Sequence, residues 1–139
     1  MTGRGPAGHR FPGGTRAVEH WENALLTEAT GADPMPAGLV HPIHLFHVPI
    51  EGAGVSIGEL FELADAEGPD RVGLQSYDWE YIEPLREDVD YRCDGEVVSF
   101  ERRTEGCSEW DELVFTVELQ TEDRLAARVT NTWQIWRST

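Results

Sequence analysis

From residue 72 onward apolar and polar side chains alternate, the two-residue period of strands with one buried face. Over 72–83, Tyr77, Trp79 and Tyr81 share one side while Asp78 and Glu80 take the other. That run stops at Pro84, which has no N–H for a ladder. Residues 89–103 read as a second, longer strand. Over 110–121, Leu113, Phe115, Val117 and Leu119 alternate strictly. Over 125–136, Leu125, Ala127, Val129, Trp133 and Ile135 line one face and Arg128, Thr130, Thr132 and Gln134 the other. Glu105-Gly106 and Glu122-Asp123 mark the turns. Together these runs predict long antiparallel hairpins with one buried and one wetter face.

Before residue 72 the period becomes helical. Thr15 can cap a helix over 15–30 on which Val18, Trp21, Leu25 and Leu26 recur at helical spacing, with Gly31 as the stop. A loop over 32–38 leads to a predicted helical stretch at 39–48. There Pro42 suits the first turn, where its missing N–H is no loss. Pro49 and the run 51–54 interrupt the pattern. Ser56 then caps a second piece, 57–66, with Ile57, Leu60, Phe61 and Ala64 on one side and Glu59 at the third position. Residues 1–16 hold five Gly, two Pro and three Arg without apolar periodicity. They are expected to form a flexible arm, leaving 17–139 as a single domain.

Charge narrows the choice of partners. The net charge is −15, and all eleven basic residues are Arg. Such a chain repels phosphate backbones and anionic lipid, so neither nucleic acid nor a membrane surface is an expected partner. No apolar run approaches the roughly 20 residues that span a bilayer. Residues 1–16 lack the apolar stretch of a secretory signal. Cys93 and Cys107 are too few for a disulfide scaffold and lack metal-site spacing. A cytoplasmic protein with reduced thiols is expected.

The order of elements resembles a hotdog fold, in which a long antiparallel sheet wraps a central helix, an α+β architecture. Three stretches resemble MaoC-like dehydratases and (R)-specific enoyl-CoA hydratases. Residues 28–34, EATGADP, are similar to an "A-T-G-D-x-x-P" stretch of that family; 38–42, GLVHP, resembles the start of its central helix; and 81–86, YIEPLR, resembles its "Y-x-x-P-L-R", which normally continues "x-G-D". Here Glu87-Asp88 follows without the Gly. The resemblance covers roughly 18–137 and points to the N-terminal half-domain type. It implies a thioester substrate carried by coenzyme A or acyl carrier protein and no bound cofactor. It also implies an Asp/His pair that handles the proton and the water, and helix-start N–H groups that polarise the thioester carbonyl.

That pair belongs to a stretch like "G-D-x-N-P-[LIV]-H", and two registers compete for it here. In one, His44 matches the catalytic His, with Leu39 in place of the Asp and His41 in place of the Asn. In the other, Asp33 matches the Asp and no His follows Pro34 at the right distance. The distance from His41 to Pro84 favours the second, and in both the pair is incomplete. Asp33, His41 and His44 are therefore the candidate catalytic residues, with Asp33 reaching one of the histidines across the loop. Pro42 and Ile43 at the helix start, the stripe Tyr77, Trp79 and Tyr81, and a nucleotide clamp of Arg102 and Arg103 are the candidate substrate contacts. The histidines at 41, 44 and 47 lack the i, i+4 pair plus carboxylate of a zinc site, so no metal is expected. An incomplete pair and an exposed sheet edge together imply a second hotdog chain, preferably a different one that carries both Asp and His.

Overall fold

The computed structural model describes residues 6–46 and 48–138. Five strands form one antiparallel sheet in the order β1-β3-β4-β5-β2: β1 Gly14–Arg16, β2 Val72–Tyr81, β3 Tyr91–Glu105, β4 Ser108–Thr121 and β5 Arg124–Ser138. Glu122 and Asp123 make the β4–β5 turn with φ of 48° and 61°. Two successive positive φ angles are what a two-residue hairpin turn needs to match the strand twist.

The inner face is the apolar parity of each strand. Tyr91, Cys93 and Val97 of β3, Leu113, Phe115, Val117 and Leu119 of β4, and Val129, Trp133 and Ile135 of β5 are all buried. Bulges adjust this parity. The register of β2 shifts between Leu74 and Ser76, so Leu74 stands opposite Trp133 and Tyr77 opposite Asn131, both on inner positions. The outer face is polar and stitched by side chains: Arg128 bridges Glu118 and Glu80, and the Thr116 and Thr130 hydroxyls lie 3.1 Å apart.

The central segment lies on the inner face, as the hotdog order predicts, but not as one helix. It comprises a 3-10 turn, Pro42–Phe46, then α2, Val48–Gly52, then α3, Ile57–Leu63. Pro49 is accommodated in the first turn of α2, where it need not donate. Gly54 at φ 78° ends that helix. Ser56 starts the next with a reciprocal box: Glu59 N–H donates to Ser56 Oγ (3.0 Å), and Ser56 N–H to Glu59 Oε1 (2.9 Å). Leu45, Val48, Ala53 and Leu60 point into the sheet at 0% exposure. The segment sits so close that a β-carbon on Gly52 would fall 2.3 Å from Cys93 Sγ.

Two sequence expectations are corrected. Residues 6–16 are not a free arm. Gly8 and Phe11 donate to Val97 and Gly95 carbonyls, β1 pairs with β3, and Gly13 N–H donates to the Ala53 carbonyl at the end of α2. Phe11 is the anchor, 6% exposed and edge-on to Phe115. Residues 1–5 of the expected arm lie outside the described residues. The first helix, α1, runs His20–Ala29 and not 15–30. Thr15 belongs to β1, and Trp21 and Leu25, half of the supposed buried stripe, are each 62% exposed. The buried side instead carries Asn23 and Thr27. This helix is held to the loops beneath it by polar bonds more than by an apolar seam. Among the described residues no helix is long and apolar enough to cross a membrane.

Candidate functional site

A concavity of about 440 Å³ opens between the central segment and the sheet. Phe46, Ile50, Ile57 and Phe61 form its roof; Leu74 and Tyr77 of β2, Phe115 of β4, and Asn131 and Trp133 of β5 form its floor. Aromatic edges build the walls: Phe61 and Phe115 stand T-shaped to Trp133 at 5.9 and 5.3 Å, and Phe46 packs on Tyr77 at 5.1 Å. Glu51 reaches the rim, where its carboxylate lies 3.1 Å from the Arg16 guanidinium. The cavity is apolar, preformed and of ligand size.

The 3-10 turn begins directly after His41. His41 Nδ1 accepts the Ile43 N–H at 3.0 Å, which caps the turn and leaves the ring proton on Nε2. Its own backbone N–H donates to Asn23 Oδ1 at 3.0 Å. Pro42 is exposed, and its carbonyl accepts the Tyr81 hydroxyl at 3.3 Å. Burial pushes that phenol up to about 12. His44 is 1% exposed and faces α1, against Trp21, Glu22, Leu25 and Ala29, on the side away from the large cavity. The Arg16 guanidinium, 2.8 Å from Glu22, holds that carboxyl below the usual range, helped by the Glu19 N–H and by His44.

A polar hub fixes this geometry. Asn23, 4% exposed, donates to the Leu39 carbonyl (2.8 Å) and to Glu87 Oε2 (2.6 Å), and its Oδ1 serves His41. Glu87 also contacts His20 Nδ1 at 3.0 Å. The Asn23 amide, and then His20, hold the Glu87 carboxyl low. Together with loop 34–38 these residues line a second hollow of about 280 Å³. In sequence terms Asn23 stood out only as a polar residue inside a helical run.

The candidate residues are thus only partly assembled. Asp33 is exposed on its loop, and His41 Nδ1 accepts the Ile43 N–H in place of a bond to that carboxylate. The loop hangs outward from the Asn23 hub, which binds its far end at Leu39 instead. His47 lies outside the described residues. Of the aromatic stripe, Tyr77 reaches the cavity, while Trp79 and Tyr81 are 37% and 40% exposed. Arg102 and Arg103 do not form a clamp at either hollow. Arg102 Nε lies 2.6 Å from Asp111 Oδ1 and Arg103 3.1 Å from Glu112, so both guanidiniums are held by carboxylates of β4. Asn131, on the cavity floor, was not singled out. Its signal was parity, since it occupies the inward place in the series 125, 127, 129, 133 and 135.

No protein-family profile and no curated protein sequence matches this chain. Solved structures do match it in shape. One is the ChsH1-ChsH2 complex from Mycobacterium tuberculosis, at 13% identity and a TM-score of 0.74, over 94% of this chain and 86% of that one. Another is the C-terminally truncated HadBC (3R-hydroxyacyl-ACP dehydratase) complex from the same organism, at 10% identity and 0.69, over 92% and 96%. A third is a putative thioesterase from Pseudomonas putida KT2440, at 11% identity and 0.55, over 87% and 69%. The chain has the hotdog fold.

Proposed function

Starting from a hotdog fold, we propose that this chain is the acyl-binding subunit of an (R)-enoyl-thioester hydratase or 3-hydroxyacyl-thioester dehydratase. The proton-transfer pair is supplied by a second hotdog chain. The observation that carries this reading is a 440 Å³ apolar cavity with no acid–base pair among the described residues of its lining. Its titratable neighbours are Glu51, engaged with Arg16, and Tyr77, whose phenol burial pushes up. His44 faces α1, and Asp33, which matches the catalytic Asp in the favoured register, is exposed on its loop. Each methylene of an acyl tail buried among Ile50, Phe61, Leu74 and Phe115 contributes about 0.8 kcal/mol to binding.

Two further features support a partner. Strand β2 is a sheet edge ten residues long that leaves Leu74, Trp79 and Tyr81 exposed. Long apolar edges are templates for pairing. The ChsH1-ChsH2 and HadBC structures are each complexes of two named chains.

The test is a crotonyl-thioester hydration assay on the purified chain, alone and with a second hotdog chain that carries both the Asp and the His. Alone, the chain should bind the thioester and leave it unhydrated; the pair should hydrate it. Hydration by the chain alone, lost in His44→Ala, would replace this reading with a self-sufficient homodimer. Release of free thiol in the same assay would replace it with a thioesterase.

A further inference from the structure

Asn131 sits among mainly apolar side chains on the inner face of the sheet. Along β5 its inward neighbours are Val129 and Trp133; across the sheet Phe115 stands opposite on β4 and Tyr77 on β2. It is 2% exposed, lines the cavity floor, and its Oδ1 has no hydrogen-bond partner among the described residues. The buried Nε1 of Trp133, also on the floor, has none either. The fold satisfies other buried polar groups, although the buried Trp110 Nε1 is unmet as well among the described residues. Asp111, buried on an inward position of β4, is met by Arg102 at 2.6 Å and Arg137 at 2.9 Å. Asn23 has bonds to both of its amide atoms. An unmet acceptor and an unmet donor beside one cavity therefore stand out, because buried polar groups are almost always paired.

We propose that Asn131 and Trp133 are a specificity pair for a hydroxyl group carried within the bound acyl chain, which donates to Asn131 Oδ1 and accepts from Trp133 Nε1. The inference rests on the acyl-binding reading of the same cavity. A hydroxyl is the smallest neutral group that does both jobs; a carbonyl only accepts, and an ammonium only donates. Residues i and i+2 share one strand face about 6.6 Å apart along the chain, near enough for two side chains to converge on one oxygen. A saturated chain fills the same volume and leaves both groups bare. Sites built to bond a hydroxyl discriminate strongly against the analogue that lacks it.

Calorimetric titration of the full chain with S-decanoyl-pantetheine, and with monohydroxydecanoyl-pantetheines whose hydroxyl is moved carbon by carbon, tests this. One isomer, or two adjacent ones, should bind about tenfold tighter than the saturated compound. Asn131→Leu should erase that preference, and Trp133→Phe should reduce it. If the saturated chain binds the unaltered protein as tightly as every isomer, the specificity pair is overturned and the acyl-binding reading stands. A preference that survives in Asn131→Leu overturns the assignment to Asn131. If no compound of either class binds, the acyl-binding reading falls and this inference falls with it. The unaltered protein decides the first and third outcomes whether or not a variant folds.

Discussion

At position 88 the backbone enters the left-handed region (φ 58°) with an aspartate in place. The related motif "P-L-R-x-G-D" has glycine at this step, so the departure noted in the sequence falls on the one residue whose conformation glycine suits best. Aspartate tolerates αL better than most side chains, yet it still strains there. The Asp88 N–H donates to the Val18 carbonyl at 2.9 Å, a bond that glycine keeps. Asp88→Gly should therefore stabilise the fold by about 0.5 kcal/mol net of unfolded-chain entropy, readable as a rise of ~1–2 °C in the thermal midpoint. Asp111 makes the opposite case. Burial pushes its carboxyl up, but the bonds from Arg102 and Arg137 outweigh burial and hold it below the usual range. A depressed carboxyl contributes stability above its unfolded value, about 3.9, and that contribution is lost as pH falls through the folded value. Asp111→Asn should cost about 3 kcal/mol near neutral pH, with the gap to wild type closing below about pH 4 in denaturant titrations.

Among the elements, the N-terminal segment depends on a missing side chain. A β-carbon on Gly95 would meet Phe11 Cδ2 at 2.7 Å and the Thr116 carbonyl at 3.0 Å, so the glycine is the seat into which Phe11 fits. Gly95→Ala should expel that ring and lower stability by about 1–3 kcal/mol. Limited proteolysis should then cut within residues 6–16, and should spare them in wild type. This docking was invisible in the sequence, because a Gly/Pro-rich run has no period and one phenylalanine does not announce its socket. The strands were legible, since Leu113, Phe115, Val117 and Leu119 alternate without a break and are all buried. The Ser56 cap was legible for the same kind of reason, its partner Glu59 lying in the adjacent turn. Helix α1 misled because periodicity counts Trp21 and Leu25 as inward, whereas the hydrogen bonds of Asn23 to Leu39, His41 and Glu87 decide which side faces in. Those partners are distant in sequence. The site was half legible: the stretch around His41 marks the turn correctly, but the environment of His44 depends on how α1 docks.

For the molecule as a whole, a net charge of −15 and an open β2 edge set the terms of association. Like-charged copies repel, so a second chain must gain more from strand pairing and apolar contact than that repulsion costs. Salt screens the repulsion, and apolar pairing should strengthen as ionic strength rises. Trp79→Lys, placing a cation on the exposed edge, should shift sedimentation toward the single chain while leaving the circular dichroism unchanged.

The roof over the cavity comes as a five-residue 3-10 turn, a five-residue helix and a seven-residue helix. Pieces that short cannot hold themselves together in water; they stay wound because the floor beneath them supplies the contacts. Such a cover can lift by a section at a time without the strands parting. Its amides should trade their protons for deuterium well before those of β4, and a guest lodged underneath should slow that trade over 42–63 alone, making the roof its own gauge of occupancy.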